Sequence, residues 1–338
     1  MRIRPRVLAA GAVAVAAVGA GLVERRHLRS LARDEDLLAL SAPLGGRPLS
    51  ITSADGTRLH AQVFGPDDGR SLVLAHGWTE QLSFWGPVIR ELEPRGLRMI
   101  AYDLRGHGRS AQAAGHDYSL ARFGEDLEAV LARAVEGGGR AIVAGHSLGG
   151  MSIAAWAEQH DVPRRISAAA LVNTGFGDLA AGNLVFGELA RWLDHPRLSR
   201  ALLGSRTRIP PLSSPLSQAA IRYVAFGPEA TAGQIAFYER MLVECSADTR
   251  AAIGVAMSEM DLWHAVARLT VPALVVTGTE DRLTPPAQSR RIARELPHLS
   301  ELVELPQTGH MSPLERPREV AAALLALADS VPATRPHA

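Results

Sequence analysis

Residues Ala141 to Met151, AIVAGHSLGGM, constrain this chain more than any other stretch. An apolar run carrying Ile142 and Val143 halts at Gly145, and Met151 to Glu158 is compatible with a helix. Between them Gly145-His146-Ser147-Leu148-Gly149 fits the pattern G-x-S-x-G in a strand-to-helix setting. A serine on so sharp a turn needs small neighbours two positions to either side, because strand and helix pass closely there. Glycines 145 and 149 meet that need and leave the Ser147 hydroxyl exposed. The helix N-terminus beneath it supplies free N–H groups and a positive dipole end, useful where an oxyanion forms. Ser147 is therefore a candidate nucleophile.

The chain around this stretch alternates strands and helices. Leu49 to Thr52 and Arg58 to Phe64 flank Asp55-Gly56 as a hairpin. Ser71 to Ala75 reads as a buried strand, Pro87 to Glu93 as a helix, Arg98 to Tyr102 as a strand and Leu120 to Val135 as a long amphipathic helix. After the central strand and helix come Ala168 to Asn173, Val271 to Thr277 and Glu301 to Leu305 as strands, with helices at Gln288 to Glu295 and Val320 to Leu327. Strands separated by helices imply βαβ units, so the expected fold class is α/β with a mostly parallel, doubly wound sheet. From about Gly175 to Val266 the alternation stops. Helical patches at Leu184 to Leu193 and Gln234 to Leu242 are broken by Pro196, Pro210, Pro211 and Pro215, which predicts an inserted helical cap. Leu184, Val185, Phe186, Leu189, Trp192, Leu193, Phe226, Phe237, Tyr238 and Met241 give the cap enough apolar bulk to line a pocket. The expected division is an N-terminal segment and spacer (1–43), a core in two pieces (44–174 and 267–330), the cap (175–266) and a disordered tail (331–338).

Acidic and basic residues nearly cancel, leaving a formal net charge of +1. No clustered basic face points to nucleic acid. All basic residues are Arg, a composition that codon bias explains. The single Cys245 excludes an internal disulfide and leaves the compartment open. Val7 to Val23 is uncharged over about seventeen residues, the lower limit for a bilayer span. Arg2, Arg4 and Arg6 precede it, and Arg25, Arg26, Arg29 and Arg33 follow. An uncleaved anchor, a signal peptide cleaved after Val18-Gly19-Ala20 and a buried Ala-rich helix all fit. The basic flanks favour the anchor, so the expected location is a membrane, on a side the charges leave open, with secretion as the alternative. Leu28 to Leu40 predicts an amphipathic helical spacer.

Four features, each at or just after the end of an expected strand, carry a family resemblance: His76-Gly77-Trp78, GHSLGG at 145–150, GTEDRLTPP at 278–286 and TGHM at 308–311. In this order the chain resembles the α/β-hydrolase superfamily over roughly Leu49 to Asp329. The resemblance implies a triad in the order Ser147, Asp281, His310. Chemistry agrees: the serine needs a base that is neutral near neutral pH, and the imidazole needs an orienting carboxylate. Glu280 is the rival acid. Oxyanion donors are expected at the backbone N–H groups of Trp78 and Leu148. His76 is expected to shape that loop and His107 to act as a hydrogen-bond anchor, while His146 occupies the variable position of the motif. No zinc spacing and no phosphate-binding loop is present, so no metal or cofactor is expected.

Ser147 argues against the epoxide hydrolases and haloalkane dehalogenases that this layout resembles, since those carry Asp at the turn. His-Gly-Trp and DLRGHGRS resemble cofactor-free haloperoxidases (perhydrolases) and small bacterial esterases. The expected activity is a serine hydrolase cleaving a small, apolar carboxylic ester through an acyl-enzyme. Perhydrolysis and acyl transfer with the same triad stay open as alternatives. A non-catalytic ligand receptor would require a missing triad member.

Overall fold

Residues along the central strands alternate between two apolar layers, and this alternation builds the molecule. Val73, Ala75, Ile100, Tyr102, Val143, Ala169 and Val275 point into one cluster. Their neighbours Leu72, Leu74, Met99, Ala101, Ile142, Ala144 and Val276 point into the other. A strand buried on both faces is apolar at every position, which is why these segments read as continuous runs. The computed structural model describes residues 23–135, 139–177, 200–201, 203–211 and 213–332. Among them eight strands form one sheet: β1 (Arg47–Thr52), β2 (Arg58–Phe64), β3 (Ser71–Ala75), β4 (Arg98–Tyr102), β5 (Ala141–His146), β6 (Ile166–Val172), β7 (Ala273–Gly278) and β8 (Leu299–Leu305). Their order is β1-β2-β4-β3-β5-β6-β7-β8. The β1–β2 and β2–β4 pairings are antiparallel and all others parallel.

Helices among the described residues include, in chain order, α1 (23–31), α2 (Glu35–Ser41), α3 (Gly86–Leu92), α4 (Leu120–Ala134), α5 (Leu148–Ala157), α6 (Val162–Arg165), α7 (Pro215–Ala225), α8 (Ala232–Glu244), α9 (Ala247–Ser258), α10 (Pro286–Glu295), α11 (Ser312–Glu315) and α12 (Pro317–Ser330). Phe123 and Leu127 of α4, Met151 and Ile153 of α5 and Ile292 of α10 cover one face of the sheet. Val88 and Ile89 of α3 with Val320 and Leu324 of α12 cover the other. The described residues between β6 and β7 form helices and turns, without a strand. Phe226, Phe237, Tyr238 and Met241 from this part are buried in the second cluster. The expected helix at 184–193 lies outside the described residues, as does most of the tail.

Two expectations near the N-terminus change. The single spacer helix is two helices, because Asp34 caps a new one: its Oδ1 accepts the Leu37 N–H at 2.9 Å. Leu31 and Leu37 from the two pieces are buried in the second apolar cluster. The expected membrane association through residues 7–23 is also corrected. Among the described residues no helix is long and apolar enough to cross a membrane. From Val23, the first described residue, the helix carries Glu24, Arg25, Arg26 and Arg29, and each Arg at the centre of a span costs about 2.5–3.5 kcal/mol. Residues 7–22, on which the anchor rested, lie outside the described part.

Candidate active site

β5 ends at His146 and α5 begins at Leu148, leaving Ser147 alone to turn the chain. It does so at φ 49°, ψ −114°, in the left-handed half of backbone space that side chains rarely adopt. Its N–H donates to Val172 O at 3.0 Å, and its carbonyl accepts from Thr174 Oγ1 at 2.8 Å. The flanking glycines are obligatory. A Cβ on Gly145 would lie 2.4 Å from the Gly149 backbone, and one on Gly149 would lie 2.3 Å from Ala75 O. Strand and helix pass too closely for any side chain there.

Two backbone N–H groups stand out, one next to this serine in the chain and one in the loop after β3. Leu148 is the first residue of α5, so its N–H has no acceptor within the helix. In the loop after β3, the N–H of Gly77 donates to Glu80 Oε2 and that of Thr79 donates to His107 Nε2 at 3.1 Å. Among the described residues the Trp78 N–H between them has no acceptor. The loop is braced by neutral imidazoles. His76 Nε2 accepts from the Leu104 N–H at 3.0 Å while Nδ1 donates to Gly77 O at 2.8 Å. His107 donates in the same way from Nδ1 to Arg105 O at 3.0 Å. Burial holds both rings below the usual imidazole range, His107 at about 3. The expected roles of His76 as a loop former and His107 as an anchor match this geometry.

Asp281 and His310 come together from the loops after β7 and β8. His310 Nδ1 lies 2.9 Å from Asp281 Oδ2, and both side chains are buried. Asp281 Oδ1 accepts the N–H groups of Leu283 at 2.9 Å and Thr284 at 2.8 Å. Its Oδ2 also accepts from Asn173 Nδ2 at 2.9 Å and Thr284 Oγ1 at 2.8 Å. Burial works to raise this carboxyl's pKa, but His310 and the surrounding donors outweigh it and hold the group below the ordinary carboxylate range. Glu280, the rival acid, is exposed to solvent. His146, the residue before Ser147, packs its ring 4.8 Å from the His310 ring, and its Nε2 lies 2.9 Å from His310 O. The turn holding Ser147 and the loop holding His310 are thus in direct contact.

Residues 70–317 match the model of a family described by its alpha/beta hydrolase fold. The chain belongs to the α/β-hydrolase family. A non-heme haloperoxidase of Rhodococcus erythropolis is similar to it, 28% identical over 77% of this chain and 92% of the relative. A 3-oxoadipate enol-lactonase of Acinetobacter baylyi is 26% identical over 79% of this chain and 91% of its own. Among solved structures, the esterase RhEst1 of a Rhodococcus species superposes with a TM-score of 0.66 at 25% identity, covering 84% of this chain and 99% of that one. With such relatives, this α/β-hydrolase is a hydrolase in kind.

The site of this α/β-hydrolase also contains residues that sequence reasoning passed over. Asn173 sits at φ 45° at the end of β6 and bridges Asp281 to Gly309 O and Ser312 Oγ. Thr284 contacts both Asp281 and His310 Nδ1, the latter at 3.2 Å. A signal for Thr284 existed: Asp followed three residues later by Thr is a turn pattern in which the carboxylate caps backbone N–H groups. Asn173 had only a weak one, the tolerance of asparagine for a left-handed backbone.

Proposed function

We propose that this hydrolase cleaves small, apolar carboxylic esters through an acyl-enzyme on Ser147, with His310 as base, Asp281 as its orienting carboxylate and the N–H groups of Trp78 and Leu148 as oxyanion donors. The observation that carries the reading is the buried His310–Asp281 pair, 2.9 Å between Nδ1 and Oδ2, packed against the residue preceding the strained Ser147. Accepting at Nδ1, Asp281 leaves Nε2 of a neutral imidazole to take a proton. Ser147 Oγ attacks the ester carbonyl as its proton passes to His310, and the carbonyl oxygen becomes an oxyanion facing the two amides. The tetrahedral intermediate collapses, the C–O bond to the alcohol breaks, and His310 returns the proton to the departing alkoxide. Water then attacks the acyl-enzyme with His310 again as base, and the carboxylic acid leaves with Ser147 restored. The likeness to a haloperoxidase supports a second acceptor, hydrogen peroxide, in the place of water in the last step.

The test is a series of p-nitrophenyl esters of graded chain length, with and without peroxide, beside labelling by a serine-reactive phosphonate. Ser147 should be the labelled residue. Ser147→Ala and His310→Ala should each lower turnover by roughly 10³-fold or more, with the double variant little worse. Near wild-type turnover in Ser147→Ala would refute the mechanism. A peracid product on adding peroxide would assign the second acceptor.

A further inference from the structure

His146 is fully buried, and each of its ring nitrogens faces an oxygen. Nδ1 lies 3.0 Å from Glu80 Oε1, and Nε2 lies 2.9 Å from His310 O. A backbone carbonyl only accepts, so Nε2 carries a proton. Glu80 is 1% exposed, and its Oε2 accepts the Gly77 N–H. The contact at Nδ1 therefore contains a second proton, shared between carboxylate and imidazole. The chain Gly77–Glu80–His146–His310 thus joins the loop after β3, the turn at Ser147 and the loop after β8. Gly77 records the fit: a Cβ there would lie 2.8 Å from His146 Nδ1 and 2.9 Å from Glu80 Oε1.

We infer that Glu80 and His146 are positioning residues, a buried proton-sharing pair that fixes the His310 loop relative to Ser147 through the hydrogen bond from His146 Nε2 to His310 O. The inference rests on the proposed roles of Ser147 and His310. The charged and titratable groups facing His146 are Glu80, His76, His310 and Asp281, and the Phe84 ring packs on it at 4.6 Å. Burial disfavours the imidazolium, but the Glu80 carboxylate and the acceptors at both nitrogens outweigh this and raise His146 above the usual imidazole range. With one proton shared between them the pair is neutral as a unit, whereas either partner alone would be an unpaired buried group.

The pair exchanges no proton with the serine or the substrate and meets His310 only through ring packing and its backbone carbonyl, so its loss should appear in kcat with KM unchanged. A phenyl ring at 146 keeps the packing on Phe84 and removes the donor to His310 O. In His146→Phe, kcat should fall on the order of 10- to 100-fold, the effect of a sub-ångström to 1 Å displacement of a catalytic base. His146→Gln restores an N–H near the Nε2 position and should recover most of the loss. Glu80→Gln accepts from Gly77, donates to Nδ1 and leaves Nε2–H in place, so it should be milder than His146→Phe. Independently of activity, selective ¹⁵N-histidine NMR of the full-length protein should show one ring whose Nε2 proton exchanges slowly with solvent and whose Nδ1 shares a proton with a carboxylate. That signal should vanish in His146→Gln and keep only its Nε2 proton in Glu80→Gln. The inference is overturned by equal kcat in wild type and a folded His146→Phe, by no recovery in His146→Gln, or by the absence of any ring hydrogen-bonded through protons at both nitrogens. Ser147→Ala serves as the parallel arm: if it stays active, the nucleophile reading has failed and takes the positioning role with it, whereas the NMR arm still reads the pair alone.

Discussion

Asp281 commits both oxygens to groups that fix its geometry: two backbone N–H groups on Oδ1, and Asn173, Thr284 and His310 on Oδ2. In Asp281→Asn the amide would have to present an N–H where Oδ2 now accepts, setting His310 in the wrong tautomer and removing the charge that stabilises its protonated form. Turnover should drop by roughly 10³- to 10⁴-fold, with the circular dichroism spectrum unchanged. Glu280→Gln, at an exposed position, should stay within about twofold, because surface changes of this kind are near neutral. The reverse ranking in a steady-state assay would hand the acid role to Glu280. At this scale the sharp turn at Ser147 and the pairing of Asp281 with His310 were legible because steric demand and chain order leave a pattern in the sequence. Asn173, Glu80 and His146 were not, since their partners lie 108, 66 and 164 residues away and nothing local records the pairing.

Two elements carry predictions of their own. Where β5 passes α5, a Cβ on Gly145 would meet the Gly149 backbone, and backbone does not swing aside as a side chain does. Gly145→Ala should lower stability by about 1–3 kcal/mol or more, read from urea denaturation. At the end of α11, Glu315 accepts the N–H of Gly227 at 2.8 Å and of Gly309 at 3.0 Å, joining the α7–α8 turn to the residue before His310. Burial, opposed by those N–H groups and reinforced by Asp281, raises its carboxyl from 4.5 to about 7. A carboxyl whose pKa rises on folding favours the fold when protonated. Its contribution is full below about 4.5 and lost as the pH climbs through about 7, a swing of at most about 3 kcal/mol. Glu315→Gln should flatten the dependence of Tm on pH between 4.5 and 8, and an unchanged slope would remove Glu315 from the account. Element boundaries were less legible than element types. β7 starts at Ala273, two residues later than its apolar run, because Pro272 has no N–H to offer the ladder. α8 starts two residues earlier than its apolar pattern, at Ala232, because Thr231 and Gln234 form a reciprocal cap.

Over the whole molecule, the alternating strands disclosed the sheet, while the described residues between β6 and β7 disclosed only their helical character. Its apolar residues look the same in sequence whether they line a pocket or fill a core. Phe226 illustrates the difference. It is 1% exposed, stands edge-on to Tyr238 at 5.9 Å, and its backbone lies against Gly309, where a Cβ would come within 2.6 Å of Phe226 Cα. The N–H of His310 donates to Ala225 O at 2.8 Å, and Gln234 Nε2 donates to Leu314 O at the same distance. With that many ties, α7 and α8 are expected to unfold with the sheet as one unit. Phe226→Ala removes a full ring from a packed interior and should cost about 3–5 kcal/mol. Far-ultraviolet circular dichroism and tryptophan fluorescence should give coincident urea midpoints in the wild type and in the variant, both midpoints moving down together. If the helices were instead a loosely attached cover, Phe226→Ala would split the transition. The first phase would then carry helical signal alone, while the sheet kept its wild-type midpoint.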